Sequence, residues 1–269
     1  MEYSVGSGSV TTRKSPCLVA AVYQGGVMPE ATRTLDKATG GTIKKRLHDA
    51  FTGKPGEHLL LFDPPAIKAE RLLLVGLGEK KKFNLAALRK AAATATRALD
   101  TVGVAEASSL LAALSPEGEG VETVARAIVE ASEHAAYRFE RMKSAPPERR
   151  QSLKKMILYT EAGAASAARR GIATGLAVAR GVALARDLGN LPANVCTPIF
   201  LASEARKLAR KYPALKVRVL TETDIQKLGM GDLWGVARGS RQPPRLIVFE
   251  YSGGKKGAKP LALVGKGVT

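Results

Sequence analysis

The sequence predicts a soluble α/β protein, on three observations. Short apolar runs of strand length alternate with longer stretches of helical spacing from Cys17 to Tyr159, and a second alternation starts after Pro198. Turn residues such as Gly25-Gly26, Gly40-Gly41 and Pro64-Pro65 punctuate the runs. The 269 residues are 45% hydrophobic and 25% charged, a core-forming composition that excludes a disordered tail or a fibre. At roughly 100 to 200 residues per domain, this length predicts about two domains.

Taken in order, Cys17 to Tyr23 reads as a buried strand stopped by Gly25-Gly26, and Pro29 to Phe51 as helix interrupted at Gly40-Gly41. His58 to Phe62 and Arg71 to Val75 are two further strands. Leu85 to Leu99 is an amphipathic helix with Asn84 as N-cap and Arg89, Lys90 and Arg97 on its polar side. Leu110 to Leu114 reads as a strand, Val121 to Tyr137 as a helix and Leu153 to Tyr159 as a strand, which completes a three-layer α/β domain over residues 1–160. The loop from Arg138 to Lys155 is charged and broken by Pro146-Pro147. Ala162 to Leu188 is the longest helical stretch, able to rise about 40 Å and link two domains. In the remainder of 161–269 a helix is expected at Pro198 to Lys211, a strand at Lys216 to Leu220 and a short helix at Glu222 to Leu228. Strands are expected around Leu233 to Ala237, Arg245 to Tyr251 and Leu261 to Val264, so that a second domain has barely begun.

Composition narrows the function classes. A net charge of +18 favours anionic partners, yet aromatic residues make up only 5% and do not interleave the basic runs as single-strand nucleic-acid binding would need. The two cysteines, Cys17 and Cys196, read as buried free thiols in a reducing compartment. No signal-peptide pattern opens the chain and no apolar run reaches 18 residues, so neither secretion nor a membrane is expected. His48, His58 and His134 fall on separate elements without ligand spacing, and Ser240 lacks the frame of a nucleophile elbow. Gly76 and Gly78 lack the third glycine of a dinucleotide fingerprint and read as a tight turn.

Two segments are more specific. In NLPANVCTP, Asn190 to Pro198, Thr197 is a natural N-cap and Pro198 fits the first helical position, which explains part of the pattern as a corner between helices. In KPLALVGKGVT, Lys259 to Thr269, an apolar strand is expected to deliver Gly265-Lys266-Gly267, leaving the lysine ammonium sterically open at a strand end. On local evidence alone the pattern favours an exposed turn lysine.

Together NLPANVCTPIFLASEA, LGMGDLWGVARGSRQPPRLIVFEY and KPLALVGKGVT resemble, in order and spacing, the leucyl aminopeptidase family, the cytosol aminopeptidases of peptidase family M17. The resemblance implies a macro-like N-terminal α/β domain, a long linker helix and a truncated zinc-peptidase-like α/β/α catalytic domain. It also implies a cytoplasmic enzyme that removes N-terminal amino acids from peptides, with two divalent metal ions, Mn²⁺ or Zn²⁺, and a homohexameric complete protein. Two such metals about 3.5 to 4 Å apart would polarise the scissile carbonyl, activate water and hold the substrate amine. Of the family's metal ligands only Lys266 is present; no catalytic residue is assigned, and a chain with one ligand is expected to be inactive. Some bacterial members bind DNA, which leaves an accessory duplex-DNA role as the alternative. Its candidate contacts are Arg13-Lys14, Lys44-Lys45-Arg46, Lys80-Lys81-Lys82 and Arg149-Arg150.

Overall fold

The chain enters through strand β1 (Glu2–Gly6) and continues to β2 (Leu18–Val22), all five residues of which are buried. In the computed structural model, which describes residues 1–6, 8–47, 51–144, 153–255 and 257–267, these strands join four more. They are β3 (His58–Phe62), β4 (Arg71–Gly76), β5 (Glu106–Ser109) and β6 (Lys155–Tyr159). The sheet order is β1-β6-β5-β2-β4-β3, parallel throughout except for β3, which runs antiparallel to β4 at one edge.

β2 is a continuous apolar run because both its faces are covered. Its residues Val19 and Ala21, with Cys17 before them, meet Leu88, Ala95 and Leu99 of helix α3 (Leu85–Val102) and Val124 and Ile128 of helix α4 (Val121–Ala136). Leu18, Ala20 and Val22 face the other way, onto Leu35 of helix α1 (Glu30–Ala38) and Ile43 of helix α2 (Thr42–Arg46). The result is the expected three-layer α/β arrangement. Asn84 caps α3 as its sequence predicts, accepting from the Ala87 N–H at 3.0 Å.

Helix α5 (Ala165–Asn190) is a single 26-residue helix. Its Ala168 and Ile172 enter the core beneath α4. The glycine-rich composition has a steric cause: a Cβ at Gly171 would collide with the Glu122 carbonyl of α4, and one at Gly175 would lie 2.9 Å from Val129 Cβ. Contacts divide the chain into Met1–Ala185 and Arg186–Thr269, so most of α5 packs with the first unit. The second unit contains helix α6 (Pro198–Lys211), strand β7 (Leu215–Leu220), helix α7 (Glu222–Lys227), helix α8 (Gly231–Ala237) and strand β8 (Leu246–Tyr251). β7 and β8 form an antiparallel pair. Among the described residues, no helix is long and apolar enough to cross a membrane.

Three expectations are corrected here, and one strand, β1, has no counterpart among the expected elements: its EYSVG pattern alternates in burial, yet it gains strand geometry only by pairing with β6. Leu110 to Leu114 is not a strand. The Leu110 N–H makes the last rung to Val19, and Leu111–Ala113 then coils into a single 3₁₀ turn, in which Leu111 and the flanking Leu110 and Leu114 are buried as a strand's residues would be. Leu233 to Ala237 lies within α8, a short apolar run that periodicity cannot distinguish from a strand. Leu261 to Val264 has no strand partner, and Leu261, Leu263 and Val264 are 85%, 89% and 98% exposed; an extended run without a neighbour has nothing to hold it. His48, Pro146-Pro147 and Arg149-Arg150 lie outside the described residues.

Candidate catalytic-domain segment

The corner between α5 and α6 is built by its own backbone. The Leu191 N–H donates to the Asp187 carbonyl, the Val195 and Cys196 N–H groups both donate to Pro192, and Thr197 then opens α6. Thr197 Oγ1 accepts from the Phe200 N–H at 3.3 Å, and Pro198 occupies the first turn, where its missing N–H leaves no vacancy in the ladder. Ala202 and Ala205 are buried on the side of α6 that packs on β7. Cys196 is half-exposed, which corrects the expectation that both thiols are buried. Cys17 is buried, and desolvation pushes its thiol up to about 12 despite the nearby Arg71, so it stays protonated and inert at neutral pH.

Lys266 is exposed, on a stretch without regular structure between Gly265 and Gly267, and takes part in no ion pair among the described residues. Among those residues, no three of His, Cys, Asp or Glu are grouped so as to hold a metal ion. A lone amine does not make a metal centre, so the described residues by themselves do not fit a pair of divalent ions.

The other residues singled out by sequence are dispersed. Gly76 ends β4 against Lys54, whose carbonyl oxygen leaves no room for a Cβ there, and Gly78 has φ +80°. This is the tight turn the sequence predicts, with Gly76 required by backbone crowding and Gly78 by its positive φ. Arg13 and Lys14 precede β2, Lys44 to Arg46 belong to α2, and Lys80 to Lys82 form a 3₁₀ turn in which Lys82 pairs with Glu79 at 2.8 Å. Of the basic residues on α3, Arg89 pairs with Glu130 at 3.2 Å, whereas Lys90 and Arg97 line a cleft of about 380 Å³ shared with His58 of β3. Sequence reasoning grouped all three on one polar side; the seven-residue spacing of Lys90 and Arg97 was the available signal for a separate stripe.

Comparison with known proteins gives a consistent result. Residues 19–146 match the N-terminal domain of the cytosol aminopeptidase family, and residues 183–269 match its catalytic domain. The cytosol aminopeptidase of Pseudomonas aeruginosa is 42% identical over 270 residues, which are 100% of this chain and 54% of that protein. Among solved structures, the bottromycin maturation enzyme BotP in complex with Mn is 27% identical with a TM-score of 0.68, covering 87% of this chain and 45% of that one. A tomato leucine aminopeptidase mutant superposes with a TM-score of 0.78 at 22% identity, over 97% of this chain and 52% of its own, a likeness of fold. The chain spans about half the length of the curated relatives it matches. With both of the family's domains matched in order along it, the chain belongs to the cytosol aminopeptidase family.

Proposed function

We propose that this chain is the N-terminal domain and the beginning of the catalytic domain of a cytoplasmic aminopeptidase that hydrolyses N-terminal residues from peptides. The observation that carries the reading is the match of residues 183–269 to the family's catalytic domain, a stretch that includes both the Asn190 to Pro198 corner and Lys266. Divalent metal dependence is supported by the Mn-bound state of BotP. In this reading Lys266 is a metal ligand. Lysine ligates only as the neutral amine, so a cation must displace a proton from a group of free pKa about 10.4. Lys266 is exposed, so its amine is accessible to a cation. By the same resemblance the full-length enzyme is a homohexamer that binds two metals, Mn²⁺ or Zn²⁺. The test is complementation in one polypeptide: residues 1–269 joined to the remainder of the Pseudomonas aeruginosa relative should yield metal-dependent hydrolysis of leucine p-nitroanilide. A soluble, folded chimera without that activity would count against the assignment.

For the domain division we propose residues 1–160 as a folding unit and 161–269 as linker helix plus incomplete catalytic domain. A fragment of residues 1–160 should melt cooperatively. Extending it to 185 restores Ala168 and Ile172 to the core, an addition of about 4 kcal/mol from apolar burial. The longer fragment should therefore melt roughly 8 to 16 °C higher. Residues 161–269 alone should show no cooperative transition by circular dichroism, since β7 and β8 make only a two-stranded sheet.

A further inference from the structure

We propose that the cleft between β3 and α3 is a docking site for an extended acidic peptide, which adds as a further strand to the free edge of β3. The cleft holds about 380 Å³, and its α3 wall from Lys90 to Val102 is about 18 Å long. Its floor is apolar, formed by Leu60, Leu73, Leu99 and Val104. The charged or titratable residues lining it are Lys90, Arg97 and His58, with no carboxylate among them. Neither Lys90 nor Arg97 has an ion-pair partner among the described residues, whereas their neighbours Arg89 and Arg126 share Glu130 and Arg138 pairs with Asp100. These two cations are therefore free to meet a carboxylate from outside.

The backbone beside the cleft is equally open. The Gly76 N–H donates to Glu57 at 3.0 Å and the Asp63 N–H to Glu70 at 2.9 Å. In an antiparallel ladder only alternate residues turn their N–H and C=O groups toward a given neighbour, so in β3 the odd-numbered residues face β4. His58, Leu60 and Phe62 then direct their backbone groups outward, and two of these three also line the cleft. Nothing in β3 blunts this edge: HLLLF carries no Lys, Glu or Pro, and Phe62 is 65% exposed. The opposite edge, β1, exposes Glu2 and Ser4. An added strand would hydrogen-bond to β3 and place alternate side chains into the cleft.

Charge selects the occupant. A second copy of this chain pairing edge to edge in a continuous sheet would bring the same unpaired cations to the seam from both sides. An acidic partner is attracted both by these residues and by a net charge of +18.

The probe is a fluorescein-labelled heptapeptide of alternating glutamate and valine, titrated against the 269-residue protein by fluorescence anisotropy. It should bind at least tenfold more tightly than the same peptide with lysine for glutamate. Lys90→Glu with Arg97→Glu should weaken binding at least tenfold. Lys44→Glu with Lys45→Glu, the same charge change on α2, should alter it less than twofold. His58→Pro removes an outward N–H while sparing the pairing with β4, and should weaken binding at least fivefold with the melting curve of a folded protein. Equal losses from the two charge reversals, or no binding of the acidic peptide, would overturn the proposal. So would unaltered affinity in a folded His58→Pro protein, or a concentration-dependent dimer in sedimentation that this substitution abolishes.

Discussion

The purified 269-residue protein is expected to hydrolyse leucine p-nitroanilide at the uncatalysed rate, with or without added Mn²⁺ or Zn²⁺. Among the described residues no group of His, Cys, Asp or Glu can hold a metal ion, and Lys266 offers a single amine that is exposed to water. A lone amine ligand has too little affinity to hold a divalent cation against water. Enzymes in general accelerate their reactions by on the order of 10⁶-fold or more, so under the proposed reading a chain that cannot hold the metals is left with essentially no turnover. Metal-dependent hydrolysis by this protein alone would mean that a complete site exists within these residues.

The second large effect concerns the contact between α4 and α5. Gly171→Leu should destabilise the first unit by about 3 kcal/mol or more, because the new side chain meets the Glu122 carbonyl and, at 3.1 Å from its own Cβ, Ala125. Backbone cannot yield as a flexible side chain does, so the two helices must separate and uncover Ala168 and Ile172. They would also lose the 2.8 Å pair between Arg170 and Glu122. For a unit of this size the midpoint of thermal unfolding should fall by roughly 6 to 12 °C. Gly181→Ala makes the opposite case on the same helix. Nothing lies within 4 Å of its Cβ, so the change should stabilise by about 0.5 to 1 kcal/mol through helix propensity alone. Circular dichroism melts of the two variants beside the parent decide both; a Gly171→Leu protein that melts like the parent would contradict the close approach of these helices.

Legibility in the sequence followed the source of each element's stability. α3 and α6 carry their own start signals in Asn84 and Thr197-Pro198, and both helices begin where those residues place them. β2 and β4 are apolar throughout because both faces are buried, and their runs are visible without knowing the neighbours. β1 depends on β6 for its identity, and Leu110 to Leu114 is apolar because it is buried, whatever its backbone does. The stretch Leu261 to Val264 shows the converse: its composition suits a strand, but strand geometry is a property of a pair. Gly171 and Gly175 carry no local signal in the sequence; what requires them is the close approach of α4. For the candidate site, the corner at Thr197 was legible from capping chemistry, whereas the role proposed for Lys266 rests on resemblance alone. A lysine between two glycines has no local property that marks it as a ligand.

The most direct test of the account counts metal in the chimera of residues 1–269 with the remainder of the Pseudomonas aeruginosa relative. Metal content by plasma emission and turnover of leucine p-nitroanilide should be measured together, for the parent chimera and for its Lys266→Ala variant. The expected result is that Lys266→Ala lowers bound metal per subunit and reduces turnover at least 100-fold, on the scale of losing a group that acts on the reaction directly, while the melting curve of the first unit is unchanged. Full metal content with undiminished turnover in the variant would contradict the assignment of Lys266, and with it the reading of this segment as part of a metal-dependent site.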